Sequence, residues 1–402
     1  MKKIPLPFII SALVILGGVS TFMIWGVPYF FRPYTFAHPN DGFGSTTTPA
    51  QVINVIEEGQ IDLDGVSQHY QIVQVKLLEG QYSGIIMEVD YGKRQQRPSA
   101  ALLVPGDQIY VTIDKRPDGM LNAYYVEYVR TKPMLILLAV FVLAILIMGR
   151  KKGLGAIISL LFSMLMIVGY IIPHILSGED PLRVSLIGSS ILLGTTLYIT
   201  YGWNLKTHAS VLSMIAALVI TGVLTMLFVS LARLNGYGDE NALFLAQMSS
   251  IKINLRGLLL GGMIIGALGV LDDLVTSQSS AVFEIYDANP ALSFRQIYIK
   301  SMRIGQDHVA ATVNTLVLAY TGASLPLLLL FALGSRNYGY LINVEFVVEE
   351  IVRTLVGSIG LMVAVPISSL TATALALHAD KLGEWRALLG PATGSGDGHH
   401  HH

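Results

Sequence analysis

Apolar runs of about twenty residues recur along almost the whole chain, at 5–27, 133–149, 153–174, 182–201, 209–232, 257–283, 309–333 and 346–377. A helix of that length matches the hydrocarbon thickness of a bilayer, and a helix satisfies its own backbone hydrogen bonds in lipid. The pattern predicts a polytopic α-helical membrane protein of about eight spans. With 52% hydrophobic and only 13% charged residues, the chain is too apolar for a soluble globular domain. A net charge of -1 offers no basic surface for nucleic acid, and the absence of cysteine closes off disulfides and thiolate metal sites.

Basic residues set the expected orientation, because they collect in cytoplasmic loops. One set of segments holds Lys2, Lys3, Arg150, Lys151, Lys152, Lys206, Arg295, Lys300, Arg303, Lys381 and Arg386; the opposite short loops hold Arg183, Arg233, Lys252, Arg256 and Arg336. That balance places both termini in the cytoplasm, with residues 1–32 as an uncleaved anchor, 133–390 as the helical bundle and 391–402 as a linker and histidine tag. Residues 33–132 then form an extracytoplasmic domain. Val52–Ile56, His69–Lys76 and Tyr110–Ile113 carry β-branched or aromatic residues between Gly, Asp and Pro turns, which predicts a small β-barrel of OB or SH3-like type. Its role is read as accessory, with Tyr124, Tyr125 and Tyr128 as contacts for a protein partner.

Inside the run 257–283 stand two adjacent carboxylates, Asp272 and Asp273. A charged side chain at mid-bilayer costs roughly 2.5 to 3.5 kcal/mol on insertion scales, so its retention points to function. Asp273, Ser277, Ser280 and Glu284 recur at helical spacing and share one face, with Asp272, Thr276 and Ser279 beside it. Such a polar sector cannot face lipid. Further along, Asp307 and Asn314 share a face, with His308 next to the first. If the two helices are antiparallel neighbours, Asn314 falls at the depth of Asp273, and Asp307 with His308 falls near Glu284. A polar path from mid-membrane to cytoplasm results. Glu349, Glu350 and Arg353 open the last run and are read as an ion pair.

The segment Gly266-Ala267-Leu268-Gly269-Val270-Leu271-Asp272-Asp273, with Ser277-Gln278-Ser279-Ser280-Ala281 and Gln306-Asp307-His308 through Asn314-Thr315-Leu316, resembles the YibE/F family of bacterial membrane proteins. That resemblance implies the bacterial cytoplasmic (inner) membrane. From about Val184 to Leu377 the order of elements is also similar to the membrane half of SecF and, more remotely, of RND transporters. This second likeness implies that Asp272 and Asp273 bind and release protons, and that a half-size unit works as a homodimer. The segment departs from it in lacking a large domain after its first helix and an intramembrane lysine.

Two adjacent carboxylates in a low-dielectric setting can exchange protons, the chemistry of an ion-coupled secondary transporter or proton-driven membrane machine. Asp272, Asp273, Ser277, Ser280, Glu284, Asp307, His308 and Asn314 form the expected relay. Alternatively Asp273, Asp307 and Asn314, with Ser277 and His308, offer oxygen-rich ligands to a hard divalent cation. A third reading makes the chain a non-transporting scaffold or sensor acting through its β domain. No organic cofactor and no enzymatic activity is expected: hydrolase, nucleotide-binding and dehydrogenase motifs are missing, and neighbouring aspartates on one helix diverge rather than converge as a protease pair.

Overall fold

A computed structural model describes residues 47–63, 65–94, 101–115, 121–248, 253–334, 338–378 and 389–392. The expected anchor at 5–27 and residues 393–402 of the linker and tag lie outside the described residues. Two compact units divide the chain, one spanning Thr35–Ala144 and the other Met1–Tyr34 with Ile145–His402.

In the first unit five strands close a barrel: β1 (Thr47–Leu63), β2 (Val66–Leu77), β3 (Ile86–Tyr91), β4 (Gln108–Lys115) and β5 (Leu121–Tyr128), in the order β1-β2-β3-β5-β4. The three predicted strand segments lie in β1, β2 and β4. A five-stranded closure of this kind, with the single parallel pairing β3 to β5, fits the OB alternative. Alternation decides which residues enter the core: Val52 pairs with Val75 and Val73 with Val89, and all four are buried. Leu77, Ile109 and Val111 complete this interior. Gln71, its buried polar member, both donates to the Leu103 carbonyl and accepts from the Leu103 amide, so neither group is left unpaired. The predicted Pro105-Gly106-Asp107 turn is present, with Gly106 at φ +100 and the Asp107 amide bonded to the Val104 carbonyl.

Helices α1 (Thr131–Arg150) and α2 (Lys152–Leu176) meet at Arg150, whose φ of 48 breaks what would otherwise be one rod. There follow α3 (Pro181–Tyr201), α4 (Leu205–Leu231), the short α5 (Glu240–Met248), α6 (Leu255–Ala288), α7 (Phe294–Ala323), α8 (Leu325–Gly334), the single turn α9 (Tyr338–Leu341) and α10 (Glu345–His378). Among the described residues six helices are long and apolar enough to cross a membrane: α1, α2, α3, α4, α6 and α10.

The region expected to supply a span at 309–333 behaves differently. Phe294–Ala323 is one continuous helix, begun by a capping box at Ser293 and Gln296, and α8 follows as a separate element. A five-residue turn at 289–293 folds α7 back against α6. Phe283 then packs with Ile297, the Gln278 side chain donates to the Ser301 carbonyl, and Gly266 faces Tyr320.

Close packing in the bundle depends on small residues. A side chain at Gly305 would strike Val365 and Gln278, and one at Gly360 would strike Thr221. Hydroxyls occupy much of the interior, as expected where van der Waals fit and hydrogen bonds replace hydrophobic collapse. Ser279 meets Ser368 at 3.1 Å, and the Gln278 amide donates to Ser369 at 2.7 Å. At the start of α4 the first residues of the stretch read as linker, Pro391 and Ala392, take part in the cap. The Leu205 amide donates to the Pro391 carbonyl, that of Lys206 to the Ala392 carbonyl, and that of Thr207 to the Asn204 side chain.

Candidate functional site

The two aspartates of α6 part company. Asp272 turns toward the bundle interior and is half-buried, whereas Asp273 is exposed on the outer face of the single chain. Successive helical residues diverge by about 100°, which makes the separation unavoidable. Thr276 donates its hydroxyl to the Asp272 carbonyl at 2.7 Å, so the helix spends a local donor on its own backbone rather than on either carboxylate. The Oδ1 atom of Asp272 is buried and has no hydrogen-bond partner among the described residues. A bare carboxylate oxygen inside a bundle is costly.

Asp272 lines a cavity of about 410 Å³ formed by α2, α3 and α6. Ser159 and Ser163 come from α2, Thr196, Thr200 and Tyr201 from α3, and the Tyr201 hydroxyl lies beside that of Thr276. Gly155 lets α2 approach α3 here: a side chain on it would press on the backbone of Ile199 and Thr200. This wall was missed in the sequence, although its signal is present. Ser159/Ser163 and Thr196/Thr200 are both hydroxyl pairs four residues apart, each within an apolar run.

The predicted stripe of Asp273, Ser277, Ser280 and Glu284 does share one face, but that face is the outer one. Asp273 and Glu284 are exposed, Ser277 and Ser280 are half-buried, and Ser280 donates to the Thr276 carbonyl. The depth pairing also shifts. Because α7 starts at Phe294 and folds back through a short turn, Asp307 and His308 come level with Asp273. Asn314 sits about two turns beyond, and Glu284 faces the first turns of α7. The helix begins well before the apolar run at 309–333, which shifts the register by about two turns. Asp307 and Asn314 are exposed and His308 is half-buried. Among the described residues no group of three or more His, Cys, Asp or Glu side chains gathers as a metal site.

At the Leu255 end of the bundle, Arg353 pairs with Glu350 at 2.7 Å, as expected for the start of the last run. Glu349 takes no part in that pair. It is buried against the Gly238 backbone, where a side chain on Gly238 would strike the carboxylate.

Residues 137–378, from within α1 to the last residue of α10, match the family of YibE/F-like proteins. The chain belongs to the YibE/F-like protein family. The YibE/F-like region takes in both aspartates, the hydroxyl-lined cavity and the α6–α7 hairpin, and it leaves out the barrel. No curated protein and no solved structure matches the chain.

Proposed function

We propose that this YibE/F-like chain is an ion-coupled, proton-linked secondary transporter or proton-driven machine of the bacterial cytoplasmic membrane, with both termini in the cytoplasm and the barrel outside. The observation that carries this reading is the bare Asp272 oxygen at the wall of a cavity inside a bundle of membrane-length helices. A carboxylate kept there is stabilised by binding a proton or a cation and destabilised by losing it, which ties occupancy to conformation. Asp273, one residue away on the outer face, together with Ser277, Glu284, Asp307 and His308 at neighbouring depths, extends the polar track along α6 and α7. Exposed carboxylates at these depths are unfavourable against lipid, and a second copy covering the outer face of α6 would shield them. That argument supports a homodimer, as does the similarity of element order to one half of SecF and RND transporters.

A second reading, a scaffold or sensor, rests on the barrel. Its surface carries a cleft of about 940 Å³ lined in part by Lys93, Arg94, Tyr124 and Tyr125, a setting suited to a protein partner.

Purified protein in liposomes with an internal pH dye and a panel of divalent cations separates the two. Transport predicts proton or cation flux that disappears in Asp272→Asn and Asp273→Asn while both variants insert and fold. Absence of flux from correctly inserted wild type sinks it. The scaffold reading then predicts that deleting Thr48 to Arg130 is the damaging change.

A further inference from the structure

The cavity beside Asp272 has a chemical character more specific than its volume. Three of its hydroxyls have committed their protons to backbone, Ser163 to the Ser159 carbonyl, Ser159 to the Thr196 carbonyl and Thr196 to the Leu192 carbonyl, while Thr200 shares a hydrogen bond with Ser159 and Tyr201 one with Thr276. What those three present to the cavity is lone pairs. With the Asp272 carboxylate these make a lining that accepts hydrogen bonds and carries negative charge, and no Lys, Arg or His contributes to it. The remaining walls are apolar, from Leu160, Leu192, Leu193, Leu197, Ile265 and Leu268. At about 410 Å³ the space is far larger than a bare metal ion needs and falls in the range of small-molecule sites.

We propose that this cavity binds a protonated amine carried on an apolar body. The ammonium N–H groups donate to Asp272 Oδ1 and to the serine and threonine oxygens, while the hydrocarbon part lies against the leucines. An anion is repelled by Asp272. A neutral apolar molecule leaves the carboxylate oxygen bare. A quaternary ammonium has charge but no N–H to satisfy the acceptors, so it ranks below a primary or secondary amine. As a transported cargo the amine rests on the proton-linked reading above; as a bound ligand it does not.

The test is equilibrium binding of tritiated phenethylamine to the full chain in lipid nanodiscs, with phenethyltrimethylammonium and propylbenzene as competitors. The expected result is saturable binding, displaced poorly by the quaternary cation and not by the hydrocarbon. It weakens about tenfold or more in Asp272→Asn, the loss of a charge-assisted hydrogen bond, and recovers in part in Asp272→Glu. Gly269 lines the same cavity with open space beyond its Cα, so Gly269→Leu fills the site without touching a polar group and should abolish binding. This second variant decides the matter if Asp272→Asn fails to fold. No saturable binding by wild type, or binding unchanged in a folded Asp272→Asn or Gly269→Leu, overturns the proposal even where proton flux persists. Binding that behaves as expected without any flux upholds the site and removes only the transport reading.

Discussion

The barrel and the helical bundle both bury apolar residues, but only the bundle mixes many hydroxyls among them. In the barrel the enclosed side chains are almost all aliphatic or aromatic, with Gln71 the polar exception. In the bundle Ser, Thr, Gln and Gly hold close contacts within an aliphatic interior, and large apolar residues such as Leu161 and Leu231 stand on the outside as well. Each arrangement follows from its solvent. Water drives aliphatic side chains inward, whereas lipid rewards neither face over the other for apolar groups and leaves fit and hydrogen bonding to decide.

The largest effect that would sharpen this contrast comes from Leu77, which is fully buried in the barrel. Leu77→Ala should destabilise that unit by about 2–5 kcal/mol, visible as earlier protease cleavage within 47–128 while α2 to α10 remain protected. A cost below about 1 kcal/mol would mean that the barrel is not held by its aliphatic core.

A smaller effect is expected in the bundle. Ser369→Ala removes one acceptor from the Gln278 amide, yet that amide keeps the Ser301 carbonyl. The cost should be about 0.6 kcal/mol in thermal unfolding of detergent-solubilised protein. A loss as large as that of Leu77→Ala would erase the distinction.

The smallest concerns the barrel surface. Hydrogen bonds from Lys93 and Tyr70 hold the exposed Glu57 carboxyl below its ordinary range, and Glu57 in turn raises Lys93. A carboxyl held low stabilises the fold above its ordinary titration range and loses that contribution as the pH falls through the lowered value. The raised lysine contributes below its ordinary value and stops doing so as the pH climbs past the raised one. Lys93→Met should therefore leave the neutral melting temperature almost unchanged and flatten the acid limb of the pH–stability curve. A large neutral shift would show that the surface pair matters more than exposed pairs generally do.

Much of this was legible beforehand because it depends on short-range pattern. Apolar run length gave α1, α2, α3, α4, α6 and α10, and alternation located β1, β2 and β4. Helical spacing put Asp273, Ser277, Ser280 and Glu284 on one face. Which way that face points is not a local property: it depends on where α3, α7 and α10 pack, so the inward turn of Asp272 and the outward turn of Asp273 needed the tertiary structure. The α6–α7 register failed for a related reason. Its pairing is set by the turn at 289–293, whereas hydropathy places a span boundary only where the apolar run begins. The cavity wall required three helices to be assembled, although the paired hydroxyls on α2 and α3 were there to be read.

The tail at 389–392 has a consequence for what α4 can attract. Helix N-termini are natural docking points for phosphates and other anions because their first amides point outward unpaired. Those of Leu205, Lys206 and Thr207 are already occupied, two of them by the carbonyls of Pro391 and Ala392, the first residues of the stretch read as linker. Removing the linker from Pro391 onward would therefore free the Leu205 and Lys206 amides and leave Asn204 as the cap of α4.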